Sequence, residues 1–188
     1  NESFSDIAAE ATEYYLNNSN DWRANFESYQ DPEGALRYLN DPFLDGSSID
    51  HVDDWESNIA AHQGGGVFNK AFHQLVTQTT IENHVNPWNP KYAFIAFANA
   101  NKHCWTSTSN YQNAAQCVMN QANTARSAMI QDGVKNNNGN NWSTAALKNH
   151  IRKAFAQVGI KLAVGNGLES EFESTSRFME VDFQNLTR

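Results

Sequence analysis

Glu2, Asp6 and Glu10 fall at four-residue intervals near the start of the chain, and Glu13 follows one turn later. In a helix, positions i, i+4 and i+8 share roughly one face, so three carboxylates would project side by side. Like charges at that spacing cost about 0.2–0.5 kcal/mol per pair in an isolated helix. One reading is an acidic, solvated first turn that suits the positive end of the helix dipole. The other is that cations offset the repulsion. Hard Ca²⁺ takes several carboxylate oxygens from a short stretch together with backbone carbonyls. Glu10, Glu13 and Asp21, spanning a helix end and the turn after it, offer that ligand chemistry.

Six histidines (His51, His62, His73, His84, His103 and His150) are scattered through the chain. No two have the His-x-x-x-His spacing that brings a pair of imidazoles to one metal, so this chain alone cannot build the commonest catalytic zinc site. A lone histidine is more often a surface or satisfied core residue than a catalyst. His62 differs by context, because it lies directly before a Gly-rich entry to a helix, where backbone can approach a ligand closely.

The elements that must position these groups are mainly helical. Ser3 to Leu16 places Phe4, Ile7, Ala8, Ala11, Tyr14 and Tyr15 at helical spacing, and the run Asn17 to Asp21 stops it. Trp22 to Trp55 has many punctuators, including Asp31-Pro32, Glu33-Gly34, Asp41-Pro42 and Asp45-Gly46, and reads as a long structured loop. Gly64-Gly65-Gly66 leads into a helix carrying Val67, Phe68, Ala71, Phe72, Leu75 and Val76. Tyr92 to His103 reads as a core helix, Asn110 to Ile130 as another, and Asp132 to Asn141 as an Asn/Gly loop. Ser143 is a credible cap for a helix running to Val158, with Gly159 as its stop. The spacing therefore predicts a mainly α domain of four to five helices joined by long loops, followed by short alternating patches from Leu162 to Arg188.

The 188 residues suit one ordinary domain with a real core, and 40% apolar content with five Trp indicates a packed body. A formal charge of −8 argues against nucleic acid or an anionic membrane as main partner. No apolar run approaches the roughly 20 residues of a membrane span, and no basic-then-apolar leader is present, so a mature chain or a fragment is expected. Cys104 and Cys117 are the two cysteines. A disulfide between them would imply an oxidising compartment, but spacing alone leaves two free thiols equally open.

"NESFSDIAAEATEYY" resembles the Asn-Glu-x-x-Ser-Asp segment of the thermolysin-like zinc metallopeptidases, whose catalytic helix carries His-Glu-x-x-His. "GALRYLNDP", "DGSSIDH" and "HQGGGVFNKAF" are similar, in the same order, to further segments of that family's C-terminal domain, and "CWTSTSNY" and "AFAQVGI" resemble its later helices. The vibriolysin and pseudolysin branch of secreted bacterial enzymes is the nearest in character. The resemblance implies a C-terminal helical domain over residues 1–160 and an extension of unknown role over 161–188. It implies that Glu2 is the third zinc ligand and that Asp6 orients a zinc-bound histidine. Glu10, Glu13 and Asp21, with the backbone carbonyl of Arg23, would bind calcium. Arg37 would hydrogen-bond a substrate carbonyl, Leu36 would help line the pocket for an apolar side chain, and His62 would stabilise the oxyanion formed when zinc-activated water attacks the peptide bond. Apart from the resemblance, a Cys104–Cys117 disulfide closing the short loop between them is expected.

Two departures stand out. The His-Glu-x-x-His segment, with both histidine ligands and the general base, would lie before residue 1. Within the chain, Ala60 occupies the place of a carboxylate that orients the catalytic histidine in the pseudolysin branch; Asp53 or Asp54 are substitutes to consider. His84 to Asn89 and Asp132 to Asn141 look like loop insertions. The expected function is thus the C-terminal half of a secreted, extracellular bacterial zinc metalloendopeptidase, partnered by a peptide substrate, its own N-terminal domain and a propeptide, and inactive alone. The rival is a non-catalytic module that binds a peptide or propeptide through the same wall.

Overall fold

Helix α1 (Glu2–Asn17) buries Ile7 and Ala11, but the same face carries Asp6 and Glu10 into the interior. Asn18, in the left-handed region at φ 54°, ends the helix while its N–H still reaches the Tyr14 carbonyl at 2.8 Å. The computed structural model describes residues 2–24, 34–78 and 86–163. After α1 the chain forms a two-stranded antiparallel ribbon, β1 (Arg23–Ala24) and β2 (Arg37–Tyr38), with Arg23 opposite Tyr38 and Ala24 opposite Arg37. Two 3-10 turns, Pro42–Asp45 and Val52–Asp54, complete the stretch that reads as a long loop. The Asp31-Pro32 and Glu33 punctuators, the start of the His84 insertion and the last 25 residues of the tail (164–188) lie outside the described residues.

The Gly-rich run ends α2 (Ala61–Gly64) and opens α3 (Gly66–Thr77), and His62 lies inside the short helix rather than ahead of it. Gly65 between them keeps right-handed helical angles, so the two form one nearly continuous rod. Helix α4 (Pro90–His103) begins with Pro90 in its first turn and Asn89 as cap, whose side chain accepts the Tyr92 N–H at 3.0 Å. It is the central helix, touching α1 and α3 as well as α5 (Tyr111–Asn120) and α6 (Ala122–Gln131). Ala93, Ala96, Phe97 and Ala100 are fully buried along it, and small side chains let neighbouring helices come close.

The single helix expected over Asn110 to Ile130 is broken at Gln121, whose φ of −86° and ψ of 6° leave helical geometry. A straight rod of that length would run about 30 Å. The break instead keeps both halves packed on α4 and on α7 (Thr144–Ala156). Ser143 caps α7 by accepting the Ala146 N–H at 3.1 Å. Gly159, at φ 82°, ends it, and the Ile160 N–H returns to the Phe155 carbonyl at 3.0 Å, closing a Schellman-type stop. Counted as rods, α1, α2 with α3, α4, α5 with α6, and α7 make five.

The core is aromatic where these rods meet. Phe68 lies 5.1 Å from Phe155 and Phe72 lies 5.4 Å from Phe97, ring centre to ring centre, both edge-on. Cys104 and Cys117 form a disulfide, Cα–Cα 5.9 Å, that ties the end of α4 to α5. The Asp132–Asn141 loop is anchored at its base, where Asp132 accepts from Lys91 Nζ at 2.6 Å and from the Tyr92 hydroxyl at 2.8 Å.

His73 on α3 packs edge-on against Trp22 at 4.8 Å, and its Nδ1 is buried without a hydrogen-bond partner among the described residues. Burial, with a smaller push from Lys70, takes its pKa from 6.5 down to about 4. Between those values the unfolded chain binds a proton that the fold refuses, so this residue's stabilising contribution is complete above pH 6.5 and drains away as pH falls towards 4. Allowing for partial solvent access, the loss is about 2 kcal/mol. Urea unfolding at pH 7 and pH 4.5 is expected to show the wild type losing that much more than His73→Gln. Parallel losses in the two proteins would remove His73 from the account.

Candidate functional site

The carboxylate of Asp6, one helical turn after Glu2, is 3% exposed and forms the centre of the site. A buried charge must be paired and hydrogen-bonded, and this one is. Arg37 on β2 grips it with a bidentate fork, Nε to Oδ2 at 2.6 Å and a terminal nitrogen to Oδ1 at 2.7 Å. Planar forks of this kind are the strongest of the ordinary ion-pair geometries. Hydrogen bonding to Asp6 holds the already high guanidinium pKa higher still, against the opposing effect of burial. A third donor comes from α3, where Asn69 Nδ2 reaches Asp6 Oδ2 at 2.8 Å. Asn69, itself 1% exposed, accepts from the Ser3 hydroxyl at 2.7 Å.

Glu2 and His62 stand on the solvent side of this network. The Glu2 carboxylate lies 3.2 Å from His62 Nδ1, with the side chains 40% and 59% exposed. The approach is set by Gly65, where a Cβ would come within 3.3 Å of the Ser3 backbone nitrogen. A larger residue there would push the α2–α3 junction away from the start of α1. Leu36, next to Arg37, is 44% exposed, and its N–H is tied to the Ala24 carbonyl at 3.1 Å. Four of the expected residues thus stand as two contacting pairs, Glu2 with His62 and Asp6 with Arg37, and Glu2 and Asp6 lie one turn apart on α1. Ala60 is exposed and offers no side-chain oxygen, while its N–H bonds Gln63 at 3.2 Å. Asp53 sits 3.5 Å from His51, so among the described residues it is Glu2 that faces His62.

At the far end of α1 a second acidic group assembles. Glu10, Glu13 and Asp21 each bring a carboxylate oxygen within 4.8 Å of the others. Asn20 holds Glu10 by donating to its Oε2 at 2.9 Å, and the Asp21 N–H donates to Glu13 at 3.2 Å. Arg23 closes the turn by donating to Asp21 from its N–H at 2.9 Å and from Nε at 3.2 Å. Burial raises the Glu10 pKa from 4.5 to about 7, with Glu13 and Asp21 adding repulsion and Asn20 opposing. Such a site is short of positive charge, which suits an oxygen-seeking divalent cation. It is the only group of three metal-ligating side chains at such range among the described residues. Glu2 therefore belongs to no such group. A zinc centre takes three protein ligands or more, so Glu2 fits zinc as one contributor to a shared site and not as the core of a complete one.

Residues 1–160 match the family described as the thermolysin metallopeptidase, alpha-helical domain. The chain belongs to that family. Its five-rod architecture is the helical domain of a thermolysin-like protein. Among its relatives are the hemagglutinin/proteinase of Vibrio cholerae, 38% identical over 65% of this chain and 19% of the relative. The neutral protease of Vibrio proteolyticus is 36% identical over the same shares. A zinc metalloprotease of Helicobacter pylori is 38% identical over 65% of this chain and 44% of its own length. The chain spans less than half the length of each of these proteins. No helix among the described residues is long and apolar enough to cross a membrane.

Spacing on its own marked Glu2, Asp6 and Glu10 but missed Asn69, Ser3 and Asn20. The signals for Asn69 were its place in the HQGGGVFNKAF segment and a short polar side chain set beside the apolar stripe of α3, between Phe68 and Phe72.

Proposed function

We propose that this domain is the C-terminal half of a secreted bacterial zinc metalloendopeptidase, covering residues 1–160 and followed by an extension over 161–188. It would form one wall of the substrate cleft, opposite an N-terminal domain that brings the remaining zinc ligands and the general base. The observation that supports this reading is the pairing of Glu2 with His62 and of Asp6 with Arg37, two contacts set one turn apart along α1. Zinc, when bound, activates the attacking water and polarises the scissile carbonyl. Glu2 contributes one anionic oxygen ligand. Asp6, already gripped by two partners on Oδ2 and one on Oδ1, keeps an acceptor position on Oδ1 for the ring N–H of a ligating histidine. Arg37 donates to a substrate carbonyl from its remaining N–H groups. His62, exposed at the mouth, donates a ring N–H to the carbonyl oxygen as that oxygen gains negative charge. Leu36 offers apolar surface to the substrate's side chain.

The test is zinc calorimetry at neutral pH on this chain and on the protein in which it follows its N-terminal domain. The expected result is no tight site in the first and a tight site with peptidase activity in the second. A tight site in the isolated chain, or no zinc-dependent hydrolysis in the longer protein, sinks the reading. Ala60 favours a second reading, a non-catalytic module that binds a peptide or propeptide, because no carboxylate at that position aims His62. Peptide binding that ignores zinc would select it.

Calcium at Glu10, Glu13 and Asp21, with the Arg23 carbonyl, completes the proposal. At a free calcium concentration 100 times its Kd, linkage adds about 2.7 kcal/mol and raises Tm by about 5–10 °C. Glu13→Gln is expected to abolish the rise. A melting temperature that ignores both calcium and EGTA would rule the site out.

A further inference from the structure

Asn69 is a buried polar residue to which no role in the reaction has been attached, yet it makes two specific hydrogen bonds across the helix interface. Its Nδ2 donates to Asp6 Oδ2 at 2.8 Å and its Oδ1 accepts from the Ser3 hydroxyl at 2.7 Å. Arg37 Nε, from β2, reaches the same Oδ2 at 2.6 Å. A carboxylate can turn about its Cβ–Cγ bond, and a fork held at one edge does not by itself stop that turn together with the guanidinium. A second donor fixed to another helix does. The orientation of the Asn69 amide is in turn set by Ser3, because only one of its two ends can accept a hydroxyl proton. The result is a relay, Ser3 to Asn69 to Asp6 to Arg37, that spans α1, α3 and β2.

We propose that Asn69 is a positioning residue that locks the Asp6 carboxylate and thereby aims the Arg37 guanidinium at the substrate. The inference rests on the proposed role of Arg37 in substrate binding and adds what fixes its direction. A leucine or alanine at this place in α3 would satisfy helix packing as well or better, since burying an amide has a cost that only its hydrogen bonds offset. The polar side chain is explained by the carboxylate it holds.

Two variants test this, Asn69→Ala, which removes both bonds, and Ser3→Ala, which frees the amide to rotate but leaves the donor in place. The first measurement is on the 188-residue chain, following the Arg37 Nε–H by NMR. The wild type is expected to show a slowly exchanging signal. Exchange should speed up about tenfold in Asn69→Ala, the equivalent of one hydrogen bond to a charged group, and about threefold in Ser3→Ala. The second measurement is peptide hydrolysis by the longer protein, normalised to zinc-loaded enzyme. KM is expected to rise about tenfold in Asn69→Ala with kcat changed less than about threefold, a split that a merely structural role would not produce. Unchanged exchange in folded Asn69→Ala, or in Ser3→Ala should the first variant not fold, overturns the clamp. Unchanged KM beside altered exchange overturns the aiming role. Absence of peptidase activity in the wild type overturns the functional reading itself, and with it the role of the relay in substrate binding, while the exchange data still decide whether the clamp exists.

Discussion

Glu2→Gln in the protein that joins this domain to its N-terminal partner is expected to lower kcat/KM for peptide hydrolysis by about 1,000-fold or more. Glutamine keeps the shape of the side chain and removes its charge, so the change falls on ligand chemistry and not on packing. Glu2 is 40% exposed and its ion pair among the described residues is with the exposed His62, so folding should be almost untouched. Zinc content after dialysis against a weak chelator should fall in parallel. The two readouts separate the alternatives. A variant that keeps its zinc and loses activity would make Glu2 a substrate or proton-handling group. A variant within tenfold of wild type on both counts would mean that the carboxylate beside His62 is a surface ion pair, a contact that contributes little at such exposure.

The helices were legible because each has an apolar period of its own, and because their ends carry residues with one job. Ser143 and Gly159 bracket α7 where their chemistry places them. The break at Gln121 was not legible, since no Gly, Pro or strong cap marks it, and it answers to the distant surfaces of α4 and α7. The ribbon was invisible for another reason, as strands of two residues contain no alternation to detect. At the site, four-residue spacing revealed that Glu2, Asp6 and Glu10 share a face, but not that Asp6 and Glu10 point inward. A charged residue on a helix reads as solvated until its partners are known, and the partners are far off in sequence. Arg37 is 31 residues from Asp6, and Asn69 is 63. Family resemblance implied a separate role for Asp6 and for Arg37 but not the contact between them. Asn69 lies inside the quoted HQGGGVFNKAF segment, but nothing there singles it out, and only the folded arrangement joins it to Asp6.

Arg37→Leu is expected to destabilise the domain by about 3–5 kcal/mol, because it strands the buried Asp6 carboxylate with one neutral donor in place of a charged fork. Arg37 is only 11% exposed on its side chain, so water cannot easily take over. Much of that cost belongs to the orphaned charge and not to the pair, and a double-mutant cycle separates them. Asp6→Asn removes the charge and keeps the shape, so the double variant Asp6→Asn with Arg37→Leu should recover a substantial part of the loss, leaving a coupling of about 2 kcal/mol between the two positions. Urea unfolding of the four proteins at pH 7 gives the numbers. Additive losses would mean that the two side chains act independently and that the guanidinium is free to swing. A free guanidinium cannot be aimed by anything behind it. The size of this coupling therefore bears on function as well as folding: it measures how firmly the wall of the cleft holds the one cation proposed to meet the substrate.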